Sequence, residues 1–415
     1  MASIFPAEII HEFILHINED SERKKTLLSC NLVSQTWYAI TRPYLYSQVA
    51  LIFDRNTTKA NYLPIVLSRS PRIRAYVHHL SVSILSTPPK RAPLHHFPSL
   101  RSLQIYSGLH DGRRVLNLDI ITNIHPFLIS KVLTSLSLSD LWHVPFRLFR
   151  QCVALEKLSL TRVTVYMPRS EIEDIDDVMG CQSDTEDEEC HTRCQLGERP
   201  FLKSFVFFTR EEDSSVLDAF LSAVSPVNLS RLETFMGLDR SNKIRSYEDH
   251  CKFISHVSSS LKNVLIDPPS ACLQDPLLSF KPHELRNISH ISLAVVQEPA
   301  EDLNALPWVI EFLSGLPNPE TVHIVTLLCD LEDHTENDFT FHSRGWSELD
   351  TLLTQFPNLE RVDLKFYDEP YDNVARELVS WIRSQLPTLI GRGILFVEYS
   401  SDVTYTGSLE GRSIG

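Results

Sequence analysis

The sequence predicts an α/β protein: a short helical head, then a long solenoid with parallel strands inside and helices outside. Three observations carry this. Helix-spaced apolar residues and turn signals fill the first 46 residues. Behind them one short motif, apolar-x-x-apolar-x-apolar, recurs almost to the C-terminus. Amphipathic segments separate the recurrences, so strand and helix alternate as in a parallel sheet.

The head opens with Phe5-Pro6-Ala7-Glu8-Ile9-Ile10. Pro6 suits a first helical position, where its missing N–H costs nothing. Ile9, Ile10, Phe13, Ile14 and Ile17 then group on one side of a helix, with Glu8, Glu12 and His16 largely opposite. Asp20 or Ser21 can cap a second helix presenting Leu27 and Leu28. Ser34 can cap a third, through Trp37 and Ile40, which should stop near Arg42 because Pro43 disfavours helix before it. Three helices in about forty residues build little core alone. Some of these apolar residues therefore belong to a partner or to the rest of the chain.

Val49 to Phe53 reads as a strand and residues 59–70 as a helix ended by Pro71. The repeats follow, for instance Leu100-x-x-Leu103-x-Ile105, Leu133-x-x-Leu136-x-Leu138 and Leu155-x-x-Leu158-x-Leu160. The middle apolar position falls at 103, 136, 158, 205, 235, 264, 291, 322 and 362. The last residues of each motif alternate, giving a strand with one buried face. Helical segments lie between: Val216 to Val224, Phe253 to Val257, Val309 to Leu313, Leu349 to Phe356, and Leu378 to Ile382. Leu316-Pro317, Phe356-Pro357 and Leu386-Pro387 close three of them, since proline stops a helix.

The head resembles the F-box. The family pattern is met by Phe5-Pro6-Ala7-Glu8-Ile9, Phe13-Ile14, Leu27 to Val33, Trp37, and a trailing Arg42-Pro43-Tyr44-Leu45-Tyr46 of the fungal kind. Phe5 replaces the usual Leu, and Ser34 stands where many members have Cys. The rest resembles leucine-rich repeats of the long, irregular kind found behind F-boxes. The steps of about thirty residues exceed the usual repeat length, and most units lack the Asn or Cys expected after the strand. A closed βα domain is the plainer alternative. The resemblance implies an F-box at 1–46, a linker and solenoid cap at 47–85, repeats at 86–400 with an acidic insertion at 170–198, and a tail at 401–415. It further implies a substrate-recognition subunit of a Skp–cullin–F-box ubiquitin ligase. Pro6, Ile9, Ile10, Leu28, Val33 and Trp37 would then dock on the Skp adaptor and, through it, the cullin–RING ligase. The repeats would hold an unknown protein substrate. A Skp-bound scaffold outside ubiquitin transfer is the alternative.

There are 39 Lys and Arg against 53 Asp and Glu, a net charge of −14. Residues 171–189 hold ten acids and no Lys or Arg, so the acidity is mostly one segment. No basic stripe stands out, and nucleic acid is not an expected partner. The eight cysteines are scattered, which favours a reducing compartment, cytosol or nucleus. The early acids argue against a signal peptide, and the absence of a run of about eighteen apolar residues argues against a membrane span.

Cys181, Cys190, His191 and Cys194 could offer zinc ligands, but their irregular spacing favours unliganded residues. Ser183 and Thr185 precede acids and are candidate phosphorylation sites. His78-His79 and His95-His96 have no carboxylate at useful spacing, and no catalytic or phosphate-binding motif occurs. Neither an enzyme nor a cofactor is therefore expected. Alternation points Phe208 and Tyr367 away from the helices, which makes them candidates for the substrate face.

Overall fold

The computed structural model describes residues 5–17, 22–53, 70–85, 97–108, 131–142, 144–166, 199–209, 215–222, 225–239, 244–267, 282–296, 305–330, 343–367, 380–381 and 383–400. The acidic insertion, the tail and the helix expected over 59–70 lie outside these residues, apart from the last residue of that helix and the flank of the insertion. The chain divides into two compact units, Met1–Leu202 with Pro226–Asn228, and Lys203–Ser225 with Leu229–Gly415.

The first unit starts with three helices, α1 (Ala7–Leu15), α2 (Glu22–Asn31) and α3 (Gln35–Leu45). Ser34 caps α3, its hydroxyl accepting from Trp37 N at 3.3 Å. The expected stop before Pro43 does not occur, and α3 runs on to Leu45. Pro43 deprives only the Ala39 carbonyl of its donor, and Ala39 is exposed, so water can serve it. The final turn closes with Tyr46 N donating to Arg42 O. Ile10, Ile14, Leu27 and Leu45 form the core between the helices.

A parallel sheet follows: β1 (Gln48–Phe53), β2 (His79–Ile84) after a single turn of helix, α4 (Pro71–Arg74), then β3 (Ser102–Ser107) and β4 (Ser135–Ser139). After the two-residue β5 (Val144–Pro145) come β6 (Lys157–Thr161) and β7 (Val165–Tyr166). β5 pairs with β7, and β1, β2, β3, β4 and β6 pair in chain order. The sheet thus already begins in the stretch expected to link and cap. Leu103 and Ile105, Leu136 and Leu138, and Leu158 and Leu160 are buried on one face, as alternation predicts.

In the second unit the strands are β8 (Ser204–Thr209), β9 (Thr234–Asp239), β10 (Asn263–Ile266), β11 (His290–Val296), β12 (Ile324–Asp330), β13 (Arg361–Tyr367) and β14 (Leu395–Ser400). Among the described residues the helices between them include α5 (Ser215–Leu221), α6 (Ile244–Val257), α7 (Leu306–Ser314), α8 (Ser343–Leu353), a stretch at 380–381 and 383–385, and α9 (Pro387–Gly391). Every strand pair is parallel and again in chain order. Phe205, Phe235, Val264, Ile291, Val325 and Val362 form one buried row across it. The register expected at 322 is therefore three residues early. Val322 is buried at the strand entrance, and Ile324 faces the other way, so the apolar pair 322/324 imitated the motif. Helix at 380–381 and 383–385 ends before Leu386, as the Leu386-Pro387 close predicts, and Pro387 then opens α9 at its first position.

One backbone device repeats through both units. The carbonyl before most of the strands accepts from two successive N–H groups of the next coil. Ser47 O takes His78 and His79, His78 O takes Arg101 and Ser102, and Arg101 O takes Thr134 and Ser135. In the second unit Lys203, Glu233, Lys262, Ser289 and His323 do the same, with bonds of 2.7–3.2 Å. This is a solenoid-like layout, each coil adding one strand beside the last.

Two buried contacts fix the coils, one between neighbours and one within a coil. Asp350 in α8 accepts from Thr388 N and Leu389 N at 3.1 and 3.0 Å, satisfying the open N-terminus of α9. Gly237, inward in β9, leaves room for the His250 ring of α6, because a Cβ there would lie 2.3 Å from His250 Cδ2.

Candidate functional surfaces

The head presents more apolar surface than its core uses. On α1 the residues split into two adjoining stripes. Ile10 and Ile14 turn inward with no exposure, while Phe5, Ile9 and Phe13 are about half exposed (52, 54 and 52%). On α2 Leu27 is buried, but Leu28 is 47% exposed, and beyond it Leu32 and Val33 are 86 and 66% exposed. Trp37 is half buried against the core, its ring edge-on to Phe13 at 5.8 Å. Of the six residues expected on the partner face, Pro6, Ile9, Leu28 and Val33 are exposed and Trp37 partly so. Ile10 is a core residue and reaches no solvent. The grouping of Ile9 with Ile10 was too coarse: 9/13 and 10/14 are separate i, i+4 pairs about 100° apart. That spacing also signals Phe13, which is exposed beside Ile9, and Phe5 and Leu32 are exposed as well.

The other surface is the side of the second sheet away from its helices. Leu265, Ala294 and Leu328 cluster there, each no more than 5% exposed, and Phe208 and Met236 pack against them. Phe208 is thus half buried in an apolar cluster and is not a free aromatic. The Tyr367 side chain lies outside the described residues, as do Ser183, Thr185, Cys181, Cys190, His191 and Cys194.

Beside that cluster Ser292, Thr326 and Asp363 align across β11, β12 and β13. His290 Nε2 lies 3.0 Å from Thr326 Oγ1 and 3.3 Å from Ser292 Oγ. Burial pushes the His290 pKa down to about 4, outweighing the pull of Asp363, while Lys365 and Arg361 push the same way as burial. A neutral imidazole follows. Both hydroxyls share one ring nitrogen and both are buried, so the trio holds no exposed nucleophile. Arg361 Nε donates to Asp363 Oδ1 at 2.7 Å, and its guanidinium lies over the Phe396 ring at 4.6 Å. This end of the sheet is paired and charged.

His78 serves the fold, its Nδ1 lying 3.0 Å from Ser99 O. Among the described residues no group of three His, Cys, Asp or Glu could hold a metal. The described Cys30, Cys152, Cys251 and Cys329 form no disulfide, and burial pushes Cys152 up to about 12. Among the described residues no helix is long and apolar enough to cross a membrane. No family model matches the chain, and no curated protein matches it significantly.

Proposed function

We propose that the chain is a substrate receptor of a Skp–cullin–F-box ubiquitin ligase, with residues 1–46 as its F-box and the strand–helix coils as irregular leucine-rich repeats. The observation that carries this reading is the second apolar stripe of the head. Phe5, Ile9, Phe13, Leu28, Leu32 and Val33 remain exposed after the three helices have formed their core. Exposed apolar clusters of this kind mark protein interfaces, and the F-box resemblance names the Skp adaptor as the partner. The repeated carbonyl device supports the leucine-rich-repeat half, because it stacks strands in chain order although the customary Asn or Cys is missing. The mechanism is proximity: the receptor holds a substrate near the ligase and raises its effective concentration.

The test is co-purification of the Skp adaptor with Ile9→Asp plus Leu28→Asp, beside the circular dichroism of the same variant. Both side chains are exposed, so the head should stay folded. Charging two interface anchors should weaken binding by at least ~2 kcal/mol, about thirtyfold. Adaptor binding equal to the parent's, or a parent that binds no adaptor, overturns the proposal. Adaptor recovered without cullin points to scaffolding instead.

A further inference from the structure

We infer that the strand-entry edge of the first unit is a docking surface for an acidic peptide segment of a protein partner. The charge distribution argues it. The whole chain carries −14, yet residues 47–166 hold fifteen Lys and Arg against five Asp and Glu, a net +10. The strands are parallel and in register, so the segments that lead into them share one edge of the sheet. Among the described residues those segments carry Arg72, Arg74, Arg101, Lys131, Arg150 and Lys157, and a single acid, Glu156. All of the six but Arg74 are exposed. Arg72, Arg101, Lys131 and Lys157 have no ion-pair partner among the described residues, and the Arg74 Nε is buried without a hydrogen bond.

The same edge of the second unit is built differently. There the signs alternate and pair: Lys262 with Glu233 at 3.0 Å, and His323 with Glu360 at 3.2 Å. Balanced pairs are what solubility alone asks of a repeat edge. A row of one sign, with four of its six members in no ion pair, raises the local concentration of an oppositely charged ligand and orients it. A nucleic acid would be attracted too, but the remaining residues of the chain carry a net −24, which repels an extended polyanion. A short acidic peptide feels chiefly the local rim, since screening confines the field to about 8 Å at physiological salt. The inference does not depend on the F-box reading.

The experiment uses the full chain, a labelled oligo-glutamate peptide, an oligo-lysine peptide of equal length and a single-stranded oligonucleotide, at physiological salt. Oligo-glutamate should bind, weaken as salt rises, and lose about tenfold or more in affinity in Arg101→Glu plus Lys157→Glu. Lys262→Glu, on the second unit, should leave its binding unchanged. A melting temperature like the parent's shows that the double variant is folded; if it is not, Arg72→Glu plus Lys131→Glu replaces it. No binding of oligo-glutamate, equal binding by the rim variant, or tighter binding of the oligonucleotide overturns the inference. So does binding that appears only after deletion of residues 171–189, because the chain's own acidic stretch would then be the occupant.

Discussion

Gly237→Ala tests the packing of the second unit at its tightest point. The added methyl would sit 2.3 Å from His250 Cδ2 and 3.0 Å from both His250 Nε2 and Phe235 Cε1. Ordinary contact needs more than 3 Å, so the His250 ring must retreat by about 1 Å. It has little room, because the Phe207 and Phe235 rings flank it with centroids 5.6 and 6.1 Å away. Overpacking of this kind costs about 1–3 kcal/mol. Replacing Gly returns about 0.4–1 kcal/mol through the unfolded chain. The net loss should be about 1–2 kcal/mol, which lowers Tm by roughly 2–8 °C for a unit of this size. Thermal melting followed by circular dichroism reads it. Combining the change with His250→Ala should recover part of the loss relative to the sum of the single changes, a coupling of roughly 1 kcal/mol. A Gly237→Ala protein that melts at or above the parent's temperature, or a double variant that is simply additive, would refute the close approach.

Other outcomes follow from individual contacts. Leu158→Asp should destabilise by several kcal/mol, because it buries an unpaired carboxylate, while exposed Lys157→Asp should stay within about 0.5 kcal/mol in the same melt. Asp350→Ala should cost about 1–3 kcal/mol and speed amide exchange at Thr388 and Leu389, since their N–H groups lose their acceptor. Stability should fall as pH drops from about 6.5 towards 4, because His290 takes up a proton in the unfolded chain before it does in the folded one. The full effect is about 3 kcal/mol, and in denaturant titrations across that window His290→Gln should show a correspondingly smaller slope. Ile10→Asp should unfold the head, whereas Ile9→Asp should not, a contrast readable by limited proteolysis of the N-terminal region.

The strands were legible because their signal is local and strong. Leu103/Ile105 and Leu136/Leu138 alternate with serine and glutamine, and only one pleat fits that pattern. At 322 the pattern misled, because apolar residues on both sides of the chain, Val322 and Ile324, mimic the inward pair. Which of two apolar stripes on α1 is core was not legible from α1 alone. It depends on where α2 and α3 pack, a tertiary fact. The half-burial of Phe208 is not legible for the same reason: alternation says which way Phe208 points, not that Leu265 and Leu328 fill the space beside it. The basic edge is not legible in the sequence because its residues are far apart along it. Only the common register of the strands brings Arg72, Arg101, Lys131 and Lys157 to one side.

The doubly accepting carbonyl has a bearing on how such a chain can change length. Successive acceptors in the first unit stand at 47, 78, 101 and 134, and in the second at 203, 233, 262, 289 and 323. Coils therefore differ by several residues in size while each of these acceptors keeps both bonds. All of that variation sits between the end of one strand and the next acceptor. Residues added there lengthen a surface connection at little thermodynamic expense. One residue added between an acceptor and the strand behind it would instead turn every side chain of that strand to the opposite face. Natural or engineered insertions should thus be found after strands such as β3 and β12, and not within the two residues that precede them.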